Sequence, residues 1–111
     1  MKNIRTKADF DSEIGGGERF ILFYSAWCPF CSSFLPVFEK AAAANPAVFA
    51  QVSIDDLPAL EDSFGIEVVP TVLFFKDKSL KNRLDGVLGL GLNAEKLGAF
   101  VKTSGAAGKK P

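Results

Sequence analysis

The sequence predicts an α/β domain with one central mixed β-sheet of four to five strands and helices on both of its faces. Apolar runs of strand length, rich in β-branched and aromatic residues, occur at 20–24, 48–54 and 71–75. Segments with the apolar spacing of helices separate and follow these runs. The strand–helix–strand order between residues 20 and 54 is typical of a βαβ unit, in which the two strands are parallel.

The composition fits one globular domain, which we expect to span residues 1–104 with a flexible tail at 105–111. Hydrophobic residues make up 48% of the 111 residues, and 13 basic residues balance 13 acidic ones, so no strong field favours nucleic acid. No apolar run approaches the ~18 residues of a membrane span, and residues 1–6 lack the apolar stretch of a signal peptide. We therefore expect a cytoplasmic protein that binds neither nucleic acid nor membrane.

The first half of the chain is predicted as helix, strand, helix and strand. Thr6 is expected to cap a short helix that ends at the glycines 15–17, because a glycine run ends helices and permits positive φ. Residues 20–24 follow as a strand that is covered on both faces. The next helix runs from about Pro29 to Ala44, and residues 48–54 form the second strand.

The second half is predicted as a short helix, a strand hairpin and a final helix. The short helix covers residues 57–64, and residues 71–75 form a third strand. A turn at 77–79 leads to a weaker strand at 80–84, which can pair antiparallel with the third. Asn93 is expected to cap an amphipathic helix near the C-terminus.

The chemistry centres on Cys28 and Cys31, since the chain contains no histidine and only these two cysteines. A zinc site needs about four ligands, so the pair would need carboxylates or a second chain to complete one. Buried structural thiols and a small disulfide staple are further alternatives, although closing so short a loop adds little stability. Cys28 falls at the expected N-cap of a helix, where free amides and the helix dipole favour a thiolate. A C-x-x-C motif near a βαβ pattern indicates redox chemistry in which Cys28 attacks and Cys31 resolves.

Three segments of the chain resemble the thioredoxin family. Residues 26–31, Ala-Trp-Cys-Pro-Phe-Cys, are similar to that family's Ala-x-Trp-Cys-Gly-Pro-Cys, one residue shorter between Ala and Trp but in register from Trp onward. Pro36 stands where the family has a proline that kinks the helix. Residues 64–71, Phe-Gly-Ile-Glu-Val-Val-Pro-Thr, are similar to the family's Tyr-Gly-Ile-x-x-x-Pro-Thr. The resemblance covers most of the chain and implies the thioredoxin fold.

The resemblance also implies the residues of the site. It implies a cis peptide between Val69 and Pro70 that faces the cysteines, where Val69 can bond to an extended substrate chain. It assigns Gly86 to a flat wall of the docking surface. Beside the catalytic Cys28 and Cys31, the expected motif and docking residues are Trp27, Pro29, Phe30, Val69, Pro70 and Gly86.

The function implied by the resemblance is that of a thiol-disulfide oxidoreductase which reduces protein disulfides. Its redox group is the Cys28–Cys31 disulfide itself, with no other cofactor and no metal. Protein disulfides are the expected substrates, a flavin-dependent thioredoxin reductase or a similar donor the expected partner, and a monomer the expected state. A disulfide oxidase or isomerase, a glutaredoxin-like activity, and a non-catalytic binding module of the same fold are the alternatives.

The sequence departs from the family at three places. Leu22 replaces a buried aspartate on the central strand, and Gln51 replaces its lysine partner, so deprotonation of Cys31 needs water or another carboxylate. Pro29-Phe30 replaces Gly-Pro between the cysteines, as in glutaredoxins and periplasmic disulfide oxidases. Because Phe30 has an N–H that a proline lacks, we expect it to donate to Cys28 Sγ and to raise the reduction potential above roughly −270 mV.

Overall fold

Five β-strands and four α-helices are formed by residues 1–104, the part of the chain that the structure, a computed structural model, describes. The strands are β1 (Lys2–Ile4), β2 (Glu18–Tyr24), β3 (Phe49–Ser53), β4 (Thr71–Lys76) and β5 (Ser79–Leu84). The helices are α1 (Lys7–Ile14), α2 (Pro29–Ala44), α3 (Ala59–Phe64) and α4 (Ala94–Ser104). None of these helices is long and apolar enough to cross a membrane. The tail predicted at 105–111 lies outside the described residues.

The strands form one mixed sheet in the order β1-β3-β2-β4-β5. β3 is parallel to both β1 and β2, while β4 runs antiparallel to β2 and β5. The predicted parallel pairing of β2 with β3 and antiparallel pairing of β4 with β5 are therefore confirmed. The sequence reading missed β1, in which Ile4 pairs with Val52 at the edge of the sheet. A strand of three residues is too short to show an alternating pattern, and its pairing partner lies far along the chain.

The helices cover both faces of the sheet, as predicted. α1 and α3 pack on one face, and α2 and α4 pack on the other. β2 contributes to both cores, because Ile21 and Phe23 point to the first face while Phe20 and Leu22 point to the second. Burial on both sides explains why the strand is an unbroken apolar run.

The helix caps follow the sequence closely, and the main differences lie at element boundaries. Thr6 Oγ1 accepts a hydrogen bond from Asp9 N at 3.1 Å, and Asn93 Oδ1 accepts one from Lys96 N at 2.8 Å, so both predicted N-caps are confirmed. β3 begins at Phe49 because a turn of 3-10 helix occupies Pro46–Val48. α3 begins at Ala59, two residues after the predicted start.

The topology brings four loops to one end of the sheet, the end at which β2 and β3 finish. β2 and β3 are parallel, so Cys28 after β2 and Asp55 after β3 lie at the same end. β4 is antiparallel to β2 and pairs Thr71 with Phe23, which places the preceding Pro70 at this end too. The loop that follows β5 arrives at the same place, because β5 is antiparallel to β4.

Candidate active site

Cys28 is the N-cap of α2. Its backbone is extended, with φ −100° and ψ 116°, and its Sγ accepts a hydrogen bond from Cys31 N at 3.3 Å. Pro29 occupies the first turn, where the missing N–H costs little because that amide has no partner within a helix. The Cys28 thiol is partly exposed and lies 3.5 Å from Val69 O. This sulfur is therefore both reachable from solvent and placed at the positive end of a helix.

Cys31 lies one turn further into α2 and is only 4% exposed. Burial raises the pKa of its thiol to about 12, although a hydrogen bond with the backbone of Ser25 acts in the opposite direction. The neighbouring Cys28 sulfur raises this pKa further, through a hydrogen bond and through its charge. Cys31 therefore holds its proton near neutral pH.

The prediction that the Phe30 amide donates a hydrogen bond to Cys28 Sγ is wrong. In residues 1–104, the backbone amide that donates to Cys28 Sγ is that of Cys31, and Phe30 N makes no such bond. A capping acceptor bonds to the second or the third amide of a helix, and here it bonds to the third. The Cys31 amide is available whichever residues stand between the cysteines. The argument for a raised reduction potential from Phe30 therefore loses its physical basis.

Val69, Pro70 and Gly86 come together beside Cys28. The Val69–Pro70 peptide is cis, as expected from the resemblance. A Cβ added to Gly86 would lie 2.3 Å from Pro70 O, so no larger residue fits there without displacing the backbone. Thr71 Oγ1 links the two segments, because it accepts from Gly86 N at 3.1 Å and donates to Val68 O at 2.6 Å.

Aromatic side chains on either side of Cys28 are exposed. Trp27 is 86% exposed and Phe30 is 41% exposed, so neither ring is buried in the core. By contrast, the phenylalanines at positions 20, 23, 34, 38, 74, 75 and 100 are all buried. The exposed rings leave an apolar surface next to the reachable sulfur.

The sequence reading did not place Asp55, which ties β3 to the segment before Cys28. Its carboxylate accepts hydrogen bonds from Ala26 N at 3.1 Å and from Ser25 Oγ at 3.1 Å. Its charge also makes a minor contribution to the raised pKa of Cys31. The available signal was its position directly after a buried strand parallel to the one that ends before Cys28.

Leu22 and Gln51, which replace the family's aspartate and lysine, place no charged group near the cysteines. Leu22 is fully buried in the core against α2 and α4. Gln51 donates through Nε2 to Asn3 Oδ1 on the neighbouring strand β1. Asp55 is thus the carboxylate that the structure brings near Cys31, and it reaches the site from the end of β3 rather than from the central strand.

Comparison with known proteins agrees with this architecture. The model of the thioredoxin family matches residues 2–103. The "putative thioredoxin 2" of Streptomyces coelicolor is 39% identical over 75 residues, which are 66% of this chain and 56% of that protein. The thioredoxin of Chlamydia caviae is 33% identical over 91 residues, 81% of this chain and 86% of that protein.

Solved structures lead to the same fold. Plasmodium falciparum thioredoxin superposes with a TM-score of 0.79 and 25% identity, over 90% of this chain and 95% of that one. Malassezia sympodialis thioredoxin gives a TM-score of 0.77 and 29% identity, over 89% and 85% of the two chains. A mixed sheet that carries a C-x-x-C motif at the start of a helix defines a thiol-disulfide oxidoreductase. This chain belongs to the thioredoxin family.

Proposed function

We propose that this protein reduces disulfide bonds in other proteins, with Cys28 as the nucleophile and Cys31 as the resolving thiol. The observation that carries the proposal is the asymmetry of the two sulfurs. Cys28 is reachable at the N-terminus of α2, while Cys31 is buried and its pKa is raised to about 12. The nucleophile in thiol–disulfide exchange is a thiolate, so the exposed sulfur at the helix end is suited to attack first.

The reaction takes place in two exchanges. The Cys28 thiolate attacks one substrate sulfur, the substrate S–S bond breaks, and the second substrate sulfur leaves and takes up a proton. Cys31 then loses its proton and attacks Cys28 Sγ, which forms the Cys28–Cys31 disulfide and releases the first substrate sulfur. Two electrons pass from the cysteine pair to the substrate, and the redox group is part of the chain itself.

The docking residues surround this chemistry. Trp27 and Phe30 supply exposed apolar area on the two sides of Cys28. The backbone of Val69 offers hydrogen bonds to an extended substrate chain, next to Pro70. Gly86 keeps the neighbouring wall free of side chains, which allows the substrate to approach the sulfur closely.

The electron donor and the setting follow from family membership. Thioredoxins act with a reductase, and we propose a flavin-dependent one as the donor for this chain. We further propose that the protein acts in the cytoplasm as a monomer and serves in electron transport and cell redox homeostasis. Residues 1–104 are proposed to form one thioredoxin-like domain, because both cores lie within them.

Turnover of insulin disulfides with dithiothreitol tests the assignment. We expect Cys28→Ser to abolish reduction, because no other sulfur is reachable. Cys31→Ser should be strongly slowed, because only dithiothreitol is left to break the bond between Cys28 and the substrate. Ser33→Ala, an exposed substitution on α2, is the control and should keep the wild-type rate. Wild-type turnover by Cys28→Ser would show instead that the cysteines are incidental to a binding module.

A further inference from the structure

Residues 86–92 lie in the loop between β5 and α4 and expose two leucines. Leu88 is 84% exposed and Leu90 is 73% exposed, and none of these seven residues is charged. Asp85, which precedes them in the loop, is paired with Arg83. A single exposed leucine is ordinary on a protein surface. Two on one short uncharged segment form a local apolar projection, which the predicted docking residues did not include.

This apolar loop is held in a defined turn. Val87 N donates to Gly91 O at 3.2 Å, Gly91 N donates to Val87 O at 2.8 Å, and Leu90 N donates to Val87 O at 2.9 Å. Gly89 and Gly91 have φ of 80° and 73°, in the left-handed region that favours glycine. The backbone bonds therefore hold a turn in which Leu88 and Leu90 are both exposed.

The apolar loop also contacts the reactive site at both of its ends. A Cβ on Gly91 would lie 3.0 Å from Phe30 Cβ, and one on Gly86 would lie 2.3 Å from Pro70 O. In residues 1–104, five of the seven exposed large hydrophobic side chains belong to this loop or to the start of α2: Trp27, Phe30, Val87, Leu88 and Leu90. The apolar surface around Cys28 thus continues onto the loop.

We propose that Leu88 and Leu90 determine substrate specificity by docking an extended peptide segment with apolar side chains next to the disulfide under attack. The inference rests on the proposed function and adds a substrate class to it. Continuity with the surface around Cys28 favours a substrate chain as the occupant, because that chain must already reach the sulfur. Residues 86–92 carry no charge, and the neighbouring Asp85 is paired with Arg83, which favours apolar over acidic or basic flanking residues.

The test compares three disulfides as substrates of the protein and of its double variant Leu88→Ser/Leu90→Ser. They are oxidised glutathione, a disulfide-linked peptide with Leu and Phe beside each cysteine, and the same peptide with Ser in their place. We expect kcat/KM for the apolar peptide to fall by about tenfold in the double variant, since apolar burial is lost. The values for the Ser peptide and for oxidised glutathione should not change.

Leu80→Ser is the matched control, because Leu80 is an exposed leucine at the start of β5, remote from Cys28 along the strand. It should leave all three values at the wild-type level. An equal loss on all three substrates in the double variant, or no loss on any, would overturn the inference. In both cases Cys28→Ser would still abolish reduction of every substrate, so the proposed function would stand.

Two further measurements test whether the apolar loop binds a second copy of the chain or a lipid surface instead of a substrate. Light scattering should show the same monomeric mass for the wild type and the double variant. A wild-type dimer that the double variant does not form would identify a second copy as the occupant and overturn the inference. Sedimentation with phosphatidylcholine vesicles should leave both proteins in solution, and vesicle binding by the wild type alone would overturn it in favour of a lipid surface.

Discussion

The two cysteines of the C-x-x-C motif differ in their exposure, because α2 begins at the surface and its first turn leads toward the core. Cys28 precedes the first turn and stays partly exposed, whereas Cys31 falls on the helix face that packs inward. Burial of Cys31 disfavours its charged form and raises its pKa from 9.0 to about 12. The spacing thus places two identical side chains in different surroundings.

Alkylation of the reduced protein should be selective. With iodoacetamide near neutral pH, we expect Cys28 to be modified first, because Cys31 is buried and protonated. Labelling of Cys31 should rise only as pH approaches its pKa of about 12. Between pH 9.0 and about 12 the unfolded chain releases this proton while the folded chain keeps it, so the free energy of unfolding should fall with pH. Peptide mass spectrometry gives the labelling of each cysteine, and equal labelling at all pH values would contradict the asymmetry.

The carboxylate of Asp55 should modulate the same titration. Its charge is a minor cause of the raised Cys31 pKa, so Asp55→Asn should lower that pKa, by less than burial raises it. The asparagine keeps an oxygen that accepts from Ala26 N. Asp56→Asn is the control, since Asp56 is an exposed carboxylate that does not act on Cys31. The pH dependence of Cys31 labelling measures the effect, and identical profiles for the two variants would refute the role of Asp55.

Site residues that belong to a local sequence motif could be predicted from the sequence. The Cys28 and Cys31 spacing, the proline at 70 and the glycine at 86 could all be recognised from the chain. Asp55 could not be placed, because its contacts depend on the register between β2 and β3. The leucines of the apolar loop could not be placed either, since a loop has no periodicity that distinguishes an exposed side chain from a buried one.

At the scale of the elements, the β5–α4 loop packs against the segment that precedes β4. Gly86 lies against Pro70 O, and the hydrogen bonds of Thr71 hold the two segments together. This contact keeps Pro70 beside the N-terminus of α2. A side chain at position 86 would have to displace one of the two segments.

Gly86→Ala should therefore reduce both stability and activity. Because its Cβ would lie 2.3 Å from Pro70 O, we expect overpacking to lower the free energy of unfolding. The decrease should be about 1–3 kcal/mol, with slower insulin reduction. Gly98→Ala is the control, since a Cβ there meets nothing within 4 Å and the residue lies in α4. It should stabilise the protein by about 1 kcal/mol.

Urea denaturation and insulin turnover give both quantities. Wild-type stability and activity in Gly86→Ala would show that the contact with Pro70 has no role in holding the site.

The order of helices and strands could be predicted because long apolar periodicities dominate it. β2, α2 and α4 were recognisable from their patterns, and Thr6 and Asn93 marked where two helices begin. The boundaries were less predictable, because the 3-10 turn at Pro46–Val48 delays β3 without any change in hydropathy. β1 escaped prediction because the edge pairing, not its own three residues, makes it a strand.

In the molecule as a whole, the residues that stabilise the fold and the residues of the site lie in different places. The two cores lie on opposite faces of the sheet, between helices and strands. The residues of the site lie at one end of the sheet, where β2, β3 and β5 finish and β4 begins. Loops held by a rigid scaffold can carry reactive groups without disturbing the cores, so substitutions of the exposed site residues should leave the fold intact.

In the proposed mechanism, Cys28 forms the bond to the substrate and Cys31 breaks it. Intact-protein mass spectrometry tests this most directly, after the reduced variants Cys31→Ser and Cys28→Ser are each mixed with a peptide disulfide. We expect Cys31→Ser to gain the mass of one peptide chain on Cys28 and to keep it. Cys28→Ser should gain none on the same time scale, because its remaining sulfur is buried. Equal adduct formation by both variants, or adducts on Cys31 alone, would contradict the account.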